Sequence, residues 1–239
     1  MNGSVDELPA RPPADALLMA NILASRAEEW NLLEMNLDRI RPQRSSLIVD
    51  LWDSEMTPAD VWKDYGPVLE RFEQVLFLKI GRRDEQDRHL RSSLTYYRHW
   101  LSCLDLVRDD ELPTHVIQLD ARYQDAIDLA HAFEALESPD VFAVTCYQNR
   151  DLSRWKARWM AIGEGRKHGI PFKIRSKDAF GYRVLGPWFS TRYFVMHKCR
   201  IPSFLKRVKS WPESSQLRME YHLCGLLSDG TELYVHDPR

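Results

Sequence analysis

A chain of 239 residues with 44% hydrophobic and 28% charged residues has an ordinary globular composition, which excludes a disordered or fibrous protein. Its longest apolar runs, Ala16 to Ala24 and Val141 to Cys146, are far shorter than the ~20 residues that cross a bilayer, so no transmembrane helix is expected. The formal net charge of −2 conceals an asymmetry: Arg150 to Lys209 holds sixteen Lys or Arg against three acids (Asp151, Glu164, Asp178), and the rest of the chain is correspondingly acidic.

Residues 1–15 combine acids with a Pro-rich stretch and have no apolar core after a basic start, so they read as a flexible tail and not as a secretory signal. The run Ala16 to Ala24 predicts a first strand. Trp30, Leu33, Leu37 and Ile40 then recur at helical spacing over Glu28 to Ile40, and Pro42 stops that helix. Ser46 to Trp52 predicts a second strand that runs into Asp53-Ser54. Thr57-Pro58 opens a helix expected to turn Val61, Trp62, Val68, Leu69 and Phe72 inward, and Gln74 to Ile80 follows as a third strand.

Asp84 to Asp110 is the longest amphipathic helical pattern, with Leu90, Leu94, Tyr97, Leu101, Leu104 and Val107 on one face. It leads to a fourth strand, Thr114 to Leu119, which meets Asp120-Ala121-Arg122. Asp125 to Leu136 reads as helix, Asp140 to Tyr147 as a fifth strand and Leu152 to Gly163 as another helix start. Beyond this, Gly181 to Ile201 looks extended, Pro202 to Lys209 and Ser214 to Leu227 look helical, and Glu232 to Val235 is a closing strand. Strands separated by helices need crossover connections, so the expected architecture is a single α/β domain with a mainly parallel sheet and helices on both faces.

The four cysteines (Cys103, Cys146, Cys199, Cys224) are widely spaced in apolar settings, which predicts buried free thiols and a reducing cytoplasm. Open parallel sheets bind ligands beyond the carboxyl ends of their strands, so the strand-end acids Asp50 or Asp53, Asp120 and Asp237 are the first candidates for a site.

The order of these elements over Leu17 to Arg239 resembles the GT-A fold of nucleotide-sugar glycosyltransferases, in particular the inverting enzymes of the family 2 type. Leu47-Ile48-Val49-Asp50 with Asp53-Ser54 looks like that family's acid-ended strand near the nucleotide base, and Leu119-Asp120-Ala121-Arg122 falls where its Asp-x-Asp motif would be. Met219-Glu220-Tyr221-His222-Leu223 looks like its helix-borne acid followed three residues later by Leu, with Ser228-Asp229-Gly230 after it.

The resemblance implies a Rossmann-like, GT-A-like domain over 16–239, with a nucleotide-binding half at 16–149 and an acceptor-binding half at 150–239. It implies Asp50, Asp53, Arg91, Asp120 and Arg122 at the nucleotide sugar and Mg2+ or Mn2+ held by Asp120 and His236. Glu220 would be the general base that takes the acceptor hydroxyl's proton. Arg122 departs from the pattern, placing a fixed cation where the motif has a second acid.

The basic segment interleaves its cations with aromatics, so Arg154, Trp155, Arg158 and Trp188 are the candidate contacts to a polyanionic acceptor, with a modified nucleic-acid base favoured over a lipid phosphate or polysaccharide. The competing expectation is a non-catalytic nucleic-acid-binding protein on a degenerate GT-A scaffold. A nucleotidyltransferase ranks last, because the first strand runs into Ala24-Ser25-Arg26 without a Gly-rich phosphate loop.

Overall fold

The computed structural model describes residues 14–51, 54–79, 113–121, 123, 128–146, 155–186, 192–212 and 232–236. The first strand, β1 (Ala14–Leu23), is buried on both faces from Ala16 to Ala20, as an interior parallel strand with an unbroken apolar run must be. It starts two residues inside the segment expected to be tail, and Asp15 accepts hydrogen bonds from the Thr114 amide and hydroxyl.

Helix α1 (Ala27–Ile40) buries Trp30, Leu33, Leu37 and Ile40, the stripe its periodicity called for. It ends where Arg41 turns left-handed (φ 48°) and its N–H returns to the Leu37 carbonyl. Pro42, which has no N–H to continue the helix, is the first residue of β2 (Pro42–Asp50).

Helix α2 (Pro58–Leu69) opens on a capping box. The Thr57 hydroxyl accepts from the Asp60 amide at 3.3 Å while the Asp60 carboxylate accepts from the Thr57 amide at 2.8 Å. It buries Val61, Val68 and Leu69, but Trp62, expected inside, is 42% exposed, and Phe72 is buried beyond the helix end. Tyr65, at a non-helical kink two residues before Pro67, stacks on Trp30 of α1 at 4.2 Å. The third strand, β3 (Gln74–Leu78), is half-buried throughout, as suits an edge.

The chain continues with β4 (His115–Asp120), α3 (Leu129–Leu136, capped by Asp128), β5 (Val141–Cys146), α4 (Trp155–Lys167), β6 (Lys173–Lys177), β7 (Gly181–Leu185) and β8 (Tyr193–His197). A 3-10 turn at Lys198–Arg200, α5 (Ile201–Lys209) and β9 (Glu232–His236) complete it. The helical patterns expected at 84–110 and 214–227 lie outside the described residues.

One nine-stranded sheet runs in the order β3-β2-β1-β4-β8-β5-β9-β7-β6. It is parallel from β3 to β4 and again between β5 and β9, while β8 is antiparallel to both its neighbours and β7 to both of its own. The segment expected as one extended stretch from 181 to 201 is therefore two strands that sit apart in the sheet, with Gly186 at φ 133° ending the first. The hairpin strand β6 escapes sequence reading because Lys-Ile-Arg-Ser-Lys has no apolar alternation; it is an exposed edge that nothing covers among the described residues.

Helices α1, α2 and α3 pack on one face with Ala20, Ile22, Leu47, Val49, Ile117, Leu119 and Val195. On the other face Phe204 of α5 meets Phe194 and Phe142 at 5.6 and 6.4 Å. No helix among the described residues is long and apolar enough to cross a membrane. Cys199, expected in the interior, is an exposed free thiol at the start of α5's lead-in turn.

Candidate functional site

From β1 the sheet grows one way through β2 and β3, while β4 lies on the other side, so the strand order reverses between β1 and β4. A crevice forms outside the carboxyl ends at such a switch point, and open α/β sheets bind ligands there.

Two buried carboxylates stand at that edge. Asp50 ends β2, Asp120 ends β4, and each is 6% exposed. Leu23 is the register partner of Asp50 and Asn21 that of Asp120. Leu23 and Asn21 are two residues apart on β1, so Asp50, Asp120 and Asn21 share one face, the one opposite the α1–α2–α3 core. Two strand spacings separate Asp50 from Asp120, about 10 Å of backbone.

The backbone at Asp120 is tied on three sides. Its N–H donates to the Arg192 carbonyl at 2.6 Å, its carbonyl accepts from Tyr123 at 2.8 Å, and the next amide, Ala121, donates to the Asn21 carbonyl at 2.9 Å. The Tyr123 carbonyl is held in turn by the Asn36 side chain of α1 at 3.0 Å.

The turn from β1 into α1 is tied to the end of β2. Ala24 N–H donates to the Asp50 carbonyl at 3.0 Å, and the Trp30 indole N–H to the Ala24 carbonyl at 3.3 Å. Buried Glu29 accepts from the Leu23 amide at 3.4 Å and from Arg26 at 3.2 Å. A helix N-terminus is a natural anion site, but here Glu28 and Glu29 already supply negative charge to the first turn of α1. A bound phosphate must therefore find its positive partners elsewhere in the crevice.

Of the other residues expected at the site, Asp53, Arg91, Arg122, Arg154, Trp188, Glu220 and Asp237 lie outside the described residues. Trp155 begins α4, and Arg158 is exposed on it. His236 ends β9 in register with Cys146 and Gly181, and β8 and β5 lie between it and β4. The sheet does not place it beside Asp120, for three strand spacings are about 14 Å.

Among the described residues no three His, Cys, Asp or Glu side chains gather as a metal cage. Mg2+ and Mn2+ sites need no such cage, since one or two carboxylates complemented by substrate phosphates and water suffice; Asp120 fits the single-carboxylate share of such a site.

Sequence reading missed two polar residues at this edge, Asn21 and Gln118. Gln118 is fully buried two residues before Asp120, and its Nε2 donates to Asn21 Oδ1 at 2.9 Å. The available signal was a carboxamide inside each of two otherwise apolar strands, Leu-Met-Ala-Asn-Ile-Leu and His-Val-Ile-Gln-Leu.

The basic segment divides. Arg175 and Arg183 pair with Glu232 at 3.1 and 3.6 Å, Lys177 lies over the Tyr182 ring and Arg207 over the Phe142 ring, so these cations serve the fold. Trp159, next to Arg158 on α4, is instead 59% exposed. A separate cleft of about 350 Å³, lined by Leu37, Asp38, Arg41, Pro42, Ser45 and Arg71, lies at the amino ends of the strands, away from the switch point. Its Arg71 is engaged by Asp38 at 2.6 Å.

No protein-family model and no curated protein matches the chain. Solved structures do. The chain is similar to a mannosyltransferase from Pyrobaculum calidifontis in complex with GDP-Man and Mn2+, at 14% identity and a TM-score of 0.48, over 94% of this chain and 58% of that one. It is similar to 4-diphosphocytidyl-2C-methyl-D-erythritol synthase from Anaerococcus prevotii, at 11% identity and a TM-score of 0.47, over 93% and 88% of the two chains. A third likeness is to glucosyl-3-phosphoglycerate synthase from Mycobacterium tuberculosis in complex with UDP, at 10% identity and a TM-score of 0.35, over 77% and 56%. These likenesses concern fold, not activity. The chain spans a little over half the length of the mannosyltransferase it is similar to.

Proposed function

We propose that this chain is a glycosyltransferase that moves a sugar from a nucleotide-sugar donor to the hydroxyl of an anionic acceptor. The observation that carries the reading is the pair of buried carboxylates, Asp50 and Asp120, at the carboxyl ends of the strands that flank β1 at the switch point. Residues 16–149 form the nucleotide-binding half and residues 150–239 the acceptor half.

Asp50, Asp53 and Arg91 bind the nucleoside portion, and Asp120 with Arg122 lies at the diphosphate. Breaking the glycosidic bond leaves negative charge on that diphosphate, which fixed positive charge must stabilise. A divalent cation, when bound by Asp120 and the diphosphate oxygens, supplies that charge; Arg122 supplies a second, permanent share through its guanidinium. Glu220 is the base that receives the acceptor's proton as the hydroxyl attacks.

The acidic first turn of α1 favours this reading over nucleotidyl transfer through a helix-bound phosphate. On the acceptor side, Arg154, Trp155, Arg158 and Trp188 contact a polyanion, with nucleic acid the preferred class. We place the reaction in the reducing cytoplasm, on the four unpaired-spaced cysteines.

A second reading, nucleic-acid binding without turnover, is favoured by exposed Trp159 beside Arg158. A thermal-shift panel of UDP-, GDP- and ADP-sugars and their diphosphates, with and without Mn2+, tests both. Stabilisation by a nucleotide sugar followed by its turnover supports the transferase. Stabilisation by oligonucleotide alone supports the binding protein.

A further inference from the structure

The strand pair at the switch point carries a donor as well as its acid. Asn21 stands directly opposite Asp120 in the β1–β4 register and is half-buried, so it lies on the same face as that carboxylate and is partly open to solvent. Its amide is not free to turn, because Gln118 Nε2 donates to Asn21 Oδ1 at 2.9 Å. The carboxamide is planar, with oxygen and nitrogen on opposite branches, so committing Oδ1 to Gln118 turns the Nδ2 hydrogens away from it.

Gln118 itself is poorly served by this arrangement. It is fully buried, Met19 and Phe194 flank it in register, and its Oε1 has no hydrogen-bond partner. An orphaned buried acceptor lowers stability, and a methionine of the same reach would fill the space without that cost. Such a group calls for a reason beyond packing.

We infer that Gln118 is a positioning residue that holds Asn21 as a neutral hydrogen-bond donor beside Asp120, aimed at an oxygen of a nucleotide bound beyond the strand ends. This rests on the nucleotide-binding reading above. It also resolves an electrostatic difficulty of the site, whose described edge carries two carboxylates and the acidic first turn of α1, all of which repel a diphosphate. A fixed amide N–H attracts ligand oxygen without placing another charge in the interior.

The test is a double-mutant cycle read by calorimetric titration of UDP and GDP, with Mn2+ present, into wild type, Gln118→Met, Asn21→Ser and the double variant. Thermal unfolding of each protein without ligand accompanies it. Each single variant should bind about 10-fold or more weakly, the loss expected for one hydrogen bond to a charged or strongly polar ligand group. The double variant should be no weaker than either single one, because Gln118 acts through Asn21. The unfolding temperature of Gln118→Met should stay level or rise while its affinity falls, an opposition that a purely structural glutamine would not produce.

Uridine and guanosine tell the two ligand oxygens apart: an equal loss for nucleoside and diphosphate assigns a ribose or base oxygen, and a loss confined to the diphosphate assigns phosphate. If Gln118→Met does not fold, Asn21→Asp serves in its place, since it keeps the shape, turns the donor into an acceptor and must weaken UDP and GDP binding by at least as much as Asn21→Ser. Wild-type affinity in Gln118→Met, or losses that simply add in the double variant, would overturn this inference and leave the nucleotide reading standing. Failure of the wild-type chain to bind any nucleotide would overturn the nucleotide reading itself.

Discussion

His115 and His197 are register partners across the antiparallel β4–β8 pairing, and their rings meet edge to face at 5.3 Å. The other side of the His115 ring stacks on Phe133 at 3.9 Å, and its Nδ1 has no hydrogen-bond partner. Burial, and then the proximity of His197, push the His115 imidazole down to about 4; His197 is lowered as well, by burial and by Lys198 and Arg200.

The unfolded chain therefore binds protons to these histidines at a higher pH than the folded one does. Their contribution to stability is complete above the ordinary histidine value near 6.5 and is lost as pH falls from there through about 4. Urea unfolding between pH 4 and 7 should show stability falling with acid across that window, and His115→Phe should flatten the slope. Asp15 and Asp178, whose carboxyls are held below their ordinary value by hydrogen bonds from Thr114 and from Tyr234 respectively, against a burial effect that opposes them, lose their share only at lower pH. A slope unchanged by His115→Phe would mean that other groups set the acid limit.

Nucleotide binding should depend on the two strand-end carboxylates. Asp120→Asn and Asp50→Asn keep shape and remove charge, so each should weaken donor binding, with Asp120→Asn also removing the response to Mn2+. Titration of a nucleotide diphosphate with and without metal measures both, and circular dichroism checks that the fold persists. Equal affinity in wild type and both variants would take the site away from this edge.

Further along the sheet from Asp120, beyond β8 and β5, the Tyr234 hydroxyl donates to Asp178 Oδ1 at 2.5 Å and lies 3.0 Å from His131 Nε2. The same carboxylate oxygen accepts from the Phe180 and Gly181 amides at 2.8 and 2.9 Å, which ties the β6–β7 turn to β9 and α3. Tyr234→Phe removes the hydroxyl from a buried ring and keeps the ring, so it should cost about 1–2 kcal/mol in denaturant unfolding. A cost near zero would show that the turn holds itself.

For turnover, Glu220→Gln should leave donor affinity intact and lower transfer roughly 100-fold, since an amide cannot take a proton. Normal transfer in that variant would remove Glu220 from the mechanism. The same assay separates the two sources of positive charge at the diphosphate. A metal-dependent enzyme stops with chelator, resumes with manganese or magnesium and tolerates Arg122→Ala; an enzyme relying on Arg122 does the reverse. We expect the former.

An anionic acceptor should be released steeply by salt, because each neutralised phosphate returns counterions to solution. Arg158→Glu should reduce that dependence and weaken acceptor binding while leaving nucleotide binding unchanged. Affinity that is flat in salt would indicate a neutral acceptor.

Among the described residues up to Cys146, the sequence by itself determined the alternation of β1, α1, β2, α2 and β3, then β4, α3 and β5, and the acids at the ends of β2 and β4. Those features rest on local periodicity, on caps such as Thr57–Asp60 and on stops such as Pro42, all of which act within a few residues. Tertiary structure decided which strands became neighbours. That β8 enters antiparallel between β4 and β5, and that β9 lies three strands from Asp120, follows from pairings between residues 50 to 100 positions apart, about which periodicity carries no information. The same is true of side chains whose meaning depends on what lies opposite them. Trp62 reads as an interior residue from its helical spacing but is 42% exposed, whereas Asn21 and Gln118 acquire a meaning only when the β1–β4 register sets them beside Asp120.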